Sequence, residues 1–328
     1  MKRATIKDIA RMAGVSVSTV SRALHNHPDI GEAVKQKVRA VADALHYHPN
    51  TQAVNFRQRR SRLIGLIIPE ISMFFIPSII RGVSSVLEAN GYQVMVLPSQ
   101  ESADKEKELV RRCLDNSVEG LLVSLSHETH EMDHLLQAAQ LDIPVVLFDK
   151  TQDRAGFDRV MIDDRQAAAG CVRYLIDAGC RRIAGVFGNT RMDISRNRED
   201  GFRQALAQFD LQPAAPILYA DSSAAAEVVC LAHLSDQRLD GLFAMSDETL
   251  VGAMAALRKL HVPVPDSCRV VCISDGMVPN IFNPPVPYLL HNGFEVGTRA
   301  ATRLLERIAD PKLGMSTQQI LVSTVFNA

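Results

Sequence analysis

Residues 5–24 read Thr5-Ile6-Lys7-Asp8-Ile9-Ala10-Arg11-Met12-Ala13-Gly14-Val15-Ser16-Val17-Ser18-Thr19-Val20-Ser21-Arg22-Ala23-Leu24. This stretch encodes two short helices around a tight turn. Thr5 is placed to cap the first, because Ile6, Ile9, Ala10 and Ala13 follow at i, i+3, i+4 and i+7, the spacing of one helical face. Asp8, three residues after Thr5, approximates a capping box. Gly14 supplies the turn, since it adopts the positive φ that other residues resist. Ser16 then caps a second helix over 17–24, with Val20 and Leu24 inward and Val17, Ser18, Ser21 and Arg22 outward. That is the build of a helix-turn-helix, whose second helix lies in the major groove of duplex DNA.

Outward from this stretch, a third helix is expected from Glu32 to Leu45. Val34, Val38, Val41, Ala42 and Leu45 form its apolar stripe and would close a three-helix core. His46-Tyr47-His48-Pro49 breaks it. Asn50 can cap a short helix from Thr51 to about Arg57, followed by Gln58-Arg59-Arg60-Ser61-Arg62. This segment has almost no apolar face, so it needs a partner to become helical.

The net charge of −1 conceals an asymmetry. Residues 1–62 hold 12 Lys/Arg against 4 Asp/Glu, a charge of +8, whereas the remainder holds 24 against 33, a charge of −9. A basic head on an acidic body is the footprint of a polyanion-binding module joined to a part that does not touch the polyanion. No secretory signal and no run of about 18 apolar residues is present, so neither export nor a membrane partner is expected. The six cysteines show no disulfide or zinc spacing. Cys268 and Cys272, four apart in one expected strand, would lie about 13 Å apart, too far to bridge. Reduced thiols in a cytoplasmic protein follow.

From Leu63 onward, short apolar runs alternate with helical patterns. Strands are expected at 64–68, 93–97, 120–124 and 145–148, with helices near 76–89, 104–116 and 130–140. A second series places strands near 159–162, 183–187, 217–219, 241–245 and 270–273, with helices near 165–178, 195–209, 223–234 and 247–260. Two consecutive βαβ series imply an α/β fold of two parallel-sheet lobes, with ligands bound beyond the carboxyl ends of the strands in the cleft between them.

The run Ala10-x-x-Ala13-Gly14-Val15-Ser16-x-x-Thr19-Val20-Ser21-Arg22 resembles the head of the lactose-repressor (LacI/GalR) family of bacterial transcription regulators. The body resembles the same family in Ile64-Gly65-Leu66-Ile67-Ile68-Pro69-Glu70, Ala89-Asn90-Gly91-Tyr92, Ile143-Pro144-Val145-Val146-Leu147-Phe148-Asp149, Met245-Ser246-Asp247 and Asn283-Pro284-Pro285. The resemblance covers essentially the whole chain. It implies a helix-turn-helix domain over 1–46, a hinge helix and linker over 47–62, and a core over 63–328 like the periplasmic sugar-binding proteins. By that analogy the lobes interleave, with the chain crossing near 161, 291 and 320. Lobe 1 then takes about 63–161 and 291–319, and lobe 2 about 162–290 and 320–328.

The resemblance also implies roles for residues. Val17, Ser18 and Arg22 match base-reading positions: Arg22 can donate two hydrogen bonds to guanine and Val17 can pack a thymine methyl. Thr5, Ser16, Thr19 and Ser21 read as phosphate clamps, which position without specifying. In the hinge, Asn50, Ala53 and Phe56 match a minor-groove element in which the family usually carries a leucine wedge. Phe56 can unstack a base step or pack against the core instead. For a small-molecule effector, Arg198 heads the family motif Arg198-Glu199-Asp200-Gly201-Phe202 and can grip hydroxyls or a carboxylate. Phe75, Ser124, Asp149, Ser246, Asp275 and His291 complete the implied set. Ser246 stands where the family often has Asn, and His291 where Gln is common, so the effector's identity does not carry over.

His130-Glu131-Met132-Asp133-His134 satisfies the H-E-x-x-H zinc-protease pattern, but its polar flanks and missing third ligand argue against a metal. No nucleophile–base constellation is present, and no cofactor or catalysis is expected. The expected protein is a ligand-responsive regulator, a homodimer on a pseudo-palindromic operator, most simply a repressor answering to a sugar or sugar derivative. Half-sites one helical turn or a multiple apart would mirror its two-fold axis. The alternative, a solute-binding protein without a gene-regulatory role, fits the body alone.

Overall fold

Helix α1 (Ile6–Ala13) begins where the capping box predicts: the Thr5 backbone N–H donates to Asp8 Oδ2 at 3.0 Å. Gly14 ends it in the left-handed region at φ 66°. In α2 (Val17–Leu24), Ser16 accepts a hydrogen bond from the Thr19 N–H at 3.1 Å, satisfying one of the helix's orphan donors. With α3 (Glu32–Ala44) these helices enclose a small core of Ile9, Ala10, Ala13, Val20, Ala23, Val38 and Ala42. The expected inward residue Leu24 is only half-buried, because Ala23 takes the central position beside Val20.

This computed structural model describes residues 4–45, 47, 61–152, 156–213, 217–235, 239–310 and 317–327. The hinge reading, with Asn50, Ala53 and Phe56, lies outside them. The chain divides into two compact units, 1–61 and 62–328.

The second unit contains two six-stranded sheets. The first runs β11-β5-β4-β3-β1-β2 and comprises β1 (Leu63–Ile68), β2 (Gln93–Pro98), β3 (Gly120–Val123), β4 (Val145–Phe148), β5 (Asp158–Met161) and β11 (Gln319–Leu321). The second runs β12-β10-β9-β8-β6-β7, from β6 (Ile183–Phe187), β7 (Leu218–Tyr219), β8 (Gly241–Ala244), β9 (Arg269–Ser274), β10 (Tyr288–Leu290) and β12 (Val325–Asn327). All pairings are parallel except β10 with β12. Buried β-branched and leucine runs such as Leu63–Ile68 are what parallel strands covered on both faces require. Helices α4 (Ile76–Ala89), α5 (Ala103–Asp115) and α6 (Asp133–Gln140) connect the first sheet. The second sheet is connected by α7 (Asp164–Asp177), α8 (Asp193–Gln208), α9 (Ser223–Leu234) and α10 (Asp247–Lys259).

A helix outside the expected set, α11 (Gly293–Ala309), packs closely on α4 of the first lobe, where a Cβ on Gly297 would fall 2.4 Å from the Ile79 carbonyl oxygen. The chain therefore passes between lobes after Met161, between Leu290 and Gly293, and between Leu321 and Val325. Helix α6 also differs from expectation. It starts at Asp133 rather than near 130, so His130 precedes the helix and the two imidazoles of H-E-x-x-H do not share a helical face.

Candidate functional site

The outer face of α2 carries side chains with little to do inside its own unit. Val17 is 41 % exposed although apolar, and Ser18 and Arg22 are exposed. Among the described residues, the Arg22 guanidinium has only a long 3.9 Å ion pair to the exposed Asp29. Ser21 and Thr19 are half-buried beside them. Thr5 and Ser16 also face solvent, but each hydroxyl serves its helix end: Thr5 Oγ1 donates to Asp8 at 2.7 Å, and Ser16 Oγ contacts the Ser18 and Thr19 hydroxyls, both at 2.8 Å. An uncommitted guanidinium, a hydroxyl and a methyl-bearing side chain on one helical face are the groups that direct base readout uses.

In the sheet unit, a cleft between the lobes encloses about 990 Å³ including its open mouth, lined by both apolar and charged side chains. Arg198 reaches it from α8, and its motif explains how. A Cβ on Gly201 would fall 2.1 Å from the Arg165 carbonyl oxygen, so only glycine lets α8 lie this close to α7. Phe202 anchors the helix in the core, with its ring centroid 5.5 Å from Phe187 and 5.9 Å from Phe243. Arg198, 3 % exposed, then donates from Nε to Asp164 Oδ1 at 2.8 Å and from Nη1 to the Met245 carbonyl at 2.5 Å. Its Nη2 has no partner among the described residues. A buried, unsatisfied guanidinium nitrogen on a cavity wall awaits an acceptor.

Asp149 follows β4 with φ 55°, a left-handed conformation costly for a non-glycine residue. Burial pushes its carboxyl up to about 6, against the pull of Lys150 and Arg198. His291 follows β10, and its ring stacks on Phe75 at 4.0 Å between centroids. Burial and the nearby Arg198 charge hold the imidazole well below its usual pKa, and Nε2 lacks a partner among the described residues. Ser246 caps α10, its N–H donating to Thr249 Oγ1 at 2.9 Å. Asp275, past β9, accepts from Ser78 Oγ on α4 at 2.7 Å, a hydrogen bond from one lobe to the other.

Six of the seven expected effector residues thus line one cleft: Phe75, Asp149, Arg198, Ser246, Asp275 and His291. Ser124 does not reach it. It lies one residue beyond β3, fully buried, with its hydroxyl unpartnered among the described residues.

The cleft also holds residues outside the expected effector set. Asp247 is buried beside Ser246 and accepts from Ser274 Oγ at 2.5 Å, with burial raising its carboxyl to about 7. Glu101, after β2, pairs with Lys150 and accepts from the His127 N–H at 2.8 Å. Burial alone would raise the Glu101 carboxyl, but Lys150 and His127 hold it below its usual value. From behind, the fully buried Glu106 holds the same loop by accepting from the Ser126 N–H at 2.7 Å and Thr129 Oγ1 at 3.0 Å. His134 Nε2 also contacts Glu106, at 2.9 Å. This carboxylate contact uses one of the two histidines of H-E-x-x-H, and no cluster of three or more His, Cys, Asp or Glu able to hold a metal occurs among the described residues. No helix among them is long and apolar enough to cross a membrane.

Fold and site together define a two-lobed small-molecule-binding core in one chain with a helix-turn-helix unit. The family of periplasmic binding proteins and sugar binding domains of the LacI family matches residues 61–327, and the lacI family of bacterial regulatory proteins matches residues 5–50. The chain belongs to the LacI family; it is an effector-binding transcriptional regulator rather than a plain solute-binding protein. It is 30 % identical over 315 residues to the HTH-type transcriptional regulator RegA of Clostridium saccharobutylicum, covering 94 % of this chain and 93 % of the relative. It is 28 % identical over 310 residues to the HTH-type transcriptional repressor PurR of Vibrio parahaemolyticus, covering 94 % and 92 %. Its fold matches the lac repressor dimer bound to operator and an anti-inducer with a TM-score of 0.88 at 23 % identity, covering 99 % and 98 %.

Proposed function

We propose that the protein is a homodimeric repressor of transcription that binds a pseudo-palindromic operator through α2 and answers to a carbohydrate effector held between its lobes, without catalysis. In this reading the DNA-binding domain spans 1–46 and the hinge 47–62. The core spans 63–328, with lobe 1 near 63–161 and 291–319 and lobe 2 near 162–290 and 320–328. Val17, Ser18 and Arg22 read bases, while Thr5, Ser16, Thr19 and Ser21 meet phosphates. Asn50, Ala53 and Phe56 act in the minor groove. Two copies are needed because one three-helix head covers little groove and a hinge helix without an apolar face needs a twin.

The observation that carries the effector reading is the orphan Arg198 Nη2, buried on a cleft wall beside Asp149 and His291. A ligand rich in hydroxyls supplies both the acceptor that Arg198 lacks and donors for the carboxylate. The repressor reading is supported by the similarity to the transcriptional repressor PurR of Vibrio parahaemolyticus. Selection of random duplex by the full-length protein tests the DNA half: an inverted repeat should be enriched, with affinity falling steeply as salt rises. Binding no tighter to the selected repeat than to random competitor would contradict it. Addition of sugars and nucleosides to the selected complex tests the effector half, and a nucleoside acting where no sugar does would correct the ligand class.

A further inference from the structure

The charge on the cleft wall narrows the ligand class, an inference that rests on the carbohydrate reading of that cleft. Both permanent cations on the wall are already matched. Arg198 lies 2.8 Å from Asp164, and Lys150 is paired with Glu101. His291 is kept uncharged by burial and by the neighbouring Arg198. Asp149, Asp221, Asp247, Glu248 and Asp275 remain on the wall, and none of them has a basic partner within ion-pair distance among the described residues. These acids feel one another. Beyond the dominant effect of burial, Glu248 raises both Asp149 and Asp247, and Asp275 raises Asp247 further.

Two nine-tenths-buried groups on the same wall, Arg198 Nη2 and His291 Nε2, lack partners among the described residues. We propose that the cleft selects hydroxyl-rich ligands without negative charge, admitting a neutral sugar or its protonated amino derivative and rejecting the phosphorylated and acidic forms of the same sugar. Hydroxyl protons satisfy the carboxylates, and a hydroxyl oxygen satisfies Arg198. A phosphate or a sugar carboxylate would instead add charge beside the buried Asp149 and Asp247 and the more open Asp221, Glu248 and Asp275, and among the described residues no unpaired Lys or Arg stands on the wall to offset it. A ligand ammonium is drawn in by the same field.

Isothermal titration calorimetry on the full-length protein tests this with matched sets built on glucose, galactose, mannose and ribose. Each set contains the free sugar, its terminal phosphate and its aldonic acid, with the 2-amino derivative added for the hexoses. In the set that binds most tightly, the neutral or amino member should bind at least about tenfold more tightly than the phosphate and the acid. Glu248→Gln and Asp221→Asn should each narrow that ratio. Equal affinities, tighter binding of an anion, or a ratio unmoved by both substitutions overturns the charge selectivity while leaving the carbohydrate reading in place. Heat from no member of any set overturns the carbohydrate reading and the selectivity with it.

Discussion

The two compact units put their polar side chains in opposite places. Every buried side chain described in the helical unit is apolar, from Ile9 to Ala42, whereas the sheet unit buries Glu106, Asp158, Asp164, Arg198 and Asp247. Glu106 and Asp158 tie elements of the sheet unit together, but for Arg198 and Asp247 on the cleft wall the difference follows from what each unit meets. A nucleic acid brings dense charge to a wet surface, so the groups that read it can stay solvated until contact. A small ligand has few atoms to offer, so the groups that hold it must be desolvated and oriented beforehand. Substitutions should therefore cost the sheet unit stability and cost the helical unit chiefly binding.

The largest expected effect is at Asp158. It accepts hydrogen bonds from Arg303 Nε at 3.0 Å, Arg307 Nε at 2.5 Å and the Gln318 N–H at 2.6 Å, tying α11 and the approach to β11 onto β5. Asp158→Ala strands two buried guanidinium groups and should destabilise the sheet unit by about 3–5 kcal/mol in urea denaturation. A loss under about 1 kcal/mol would break the contrast between the units.

The pH dependence of stability sharpens the contrast next. Asp149 and Asp247 rise from 3.8 to about 6 and about 7 on folding, chiefly through burial. Between those values and 3.8 the folded state holds more protons than the unfolded chain. Both groups therefore make folding less favourable as pH climbs from about 4 to about 7. Asp247→Asn removes one contribution, so the variant should gain on the wild type in chemical denaturation as pH is raised from 5 to 7.5. A gain in the opposite direction would refute the burial argument.

In the helical unit, Arg22→Ala should weaken binding to the selected repeat by about 1–3 kcal/mol in fluorescence anisotropy. Melting temperature and ligand affinity should not move. Smallest of all, Ser16→Ala removes the cap at the Thr19 N–H and should cost that unit about 1 kcal/mol. Calorimetry should detect this as a lower melting transition of the helical unit alone.

Local signals carried most of the fold. Helix α2 has the expected bounds because a cap, a glycine turn and a helical period all agree over a few residues. The Arg198–Phe202 motif was legible only through the family resemblance, and the structure supplies its reason: the glycine and phenylalanine are steric requirements of one helix contact. Asp247, Glu101, His127 and Lys150 were not legible as one site. They arrive beyond the ends of separate strands, and although Asp247 stands in a family motif, nothing local distinguishes Glu101, His127 and Lys150 from surface polar residues. Helix α11 and strands β10 to β12 escaped the alternating pattern because they follow the second series and serve the lobe crossings. H-E-x-x-H was set aside on its polar flanks, and the structure adds a second reason: spacing implies a shared helical face only where a helix exists, and α6 starts three residues too late.

In the proposed function, occupancy of the cleft governs how tightly α2 holds DNA. The direct measurement is the dissociation constant of the selected repeat at fixed salt, with and without a saturating amount of the sugar that binds most tightly in calorimetry. A change of about 5- to 150-fold in either direction, the range of typical coupling energies, is predicted. Saturation of the cleft with the DNA affinity unchanged would contradict the claim.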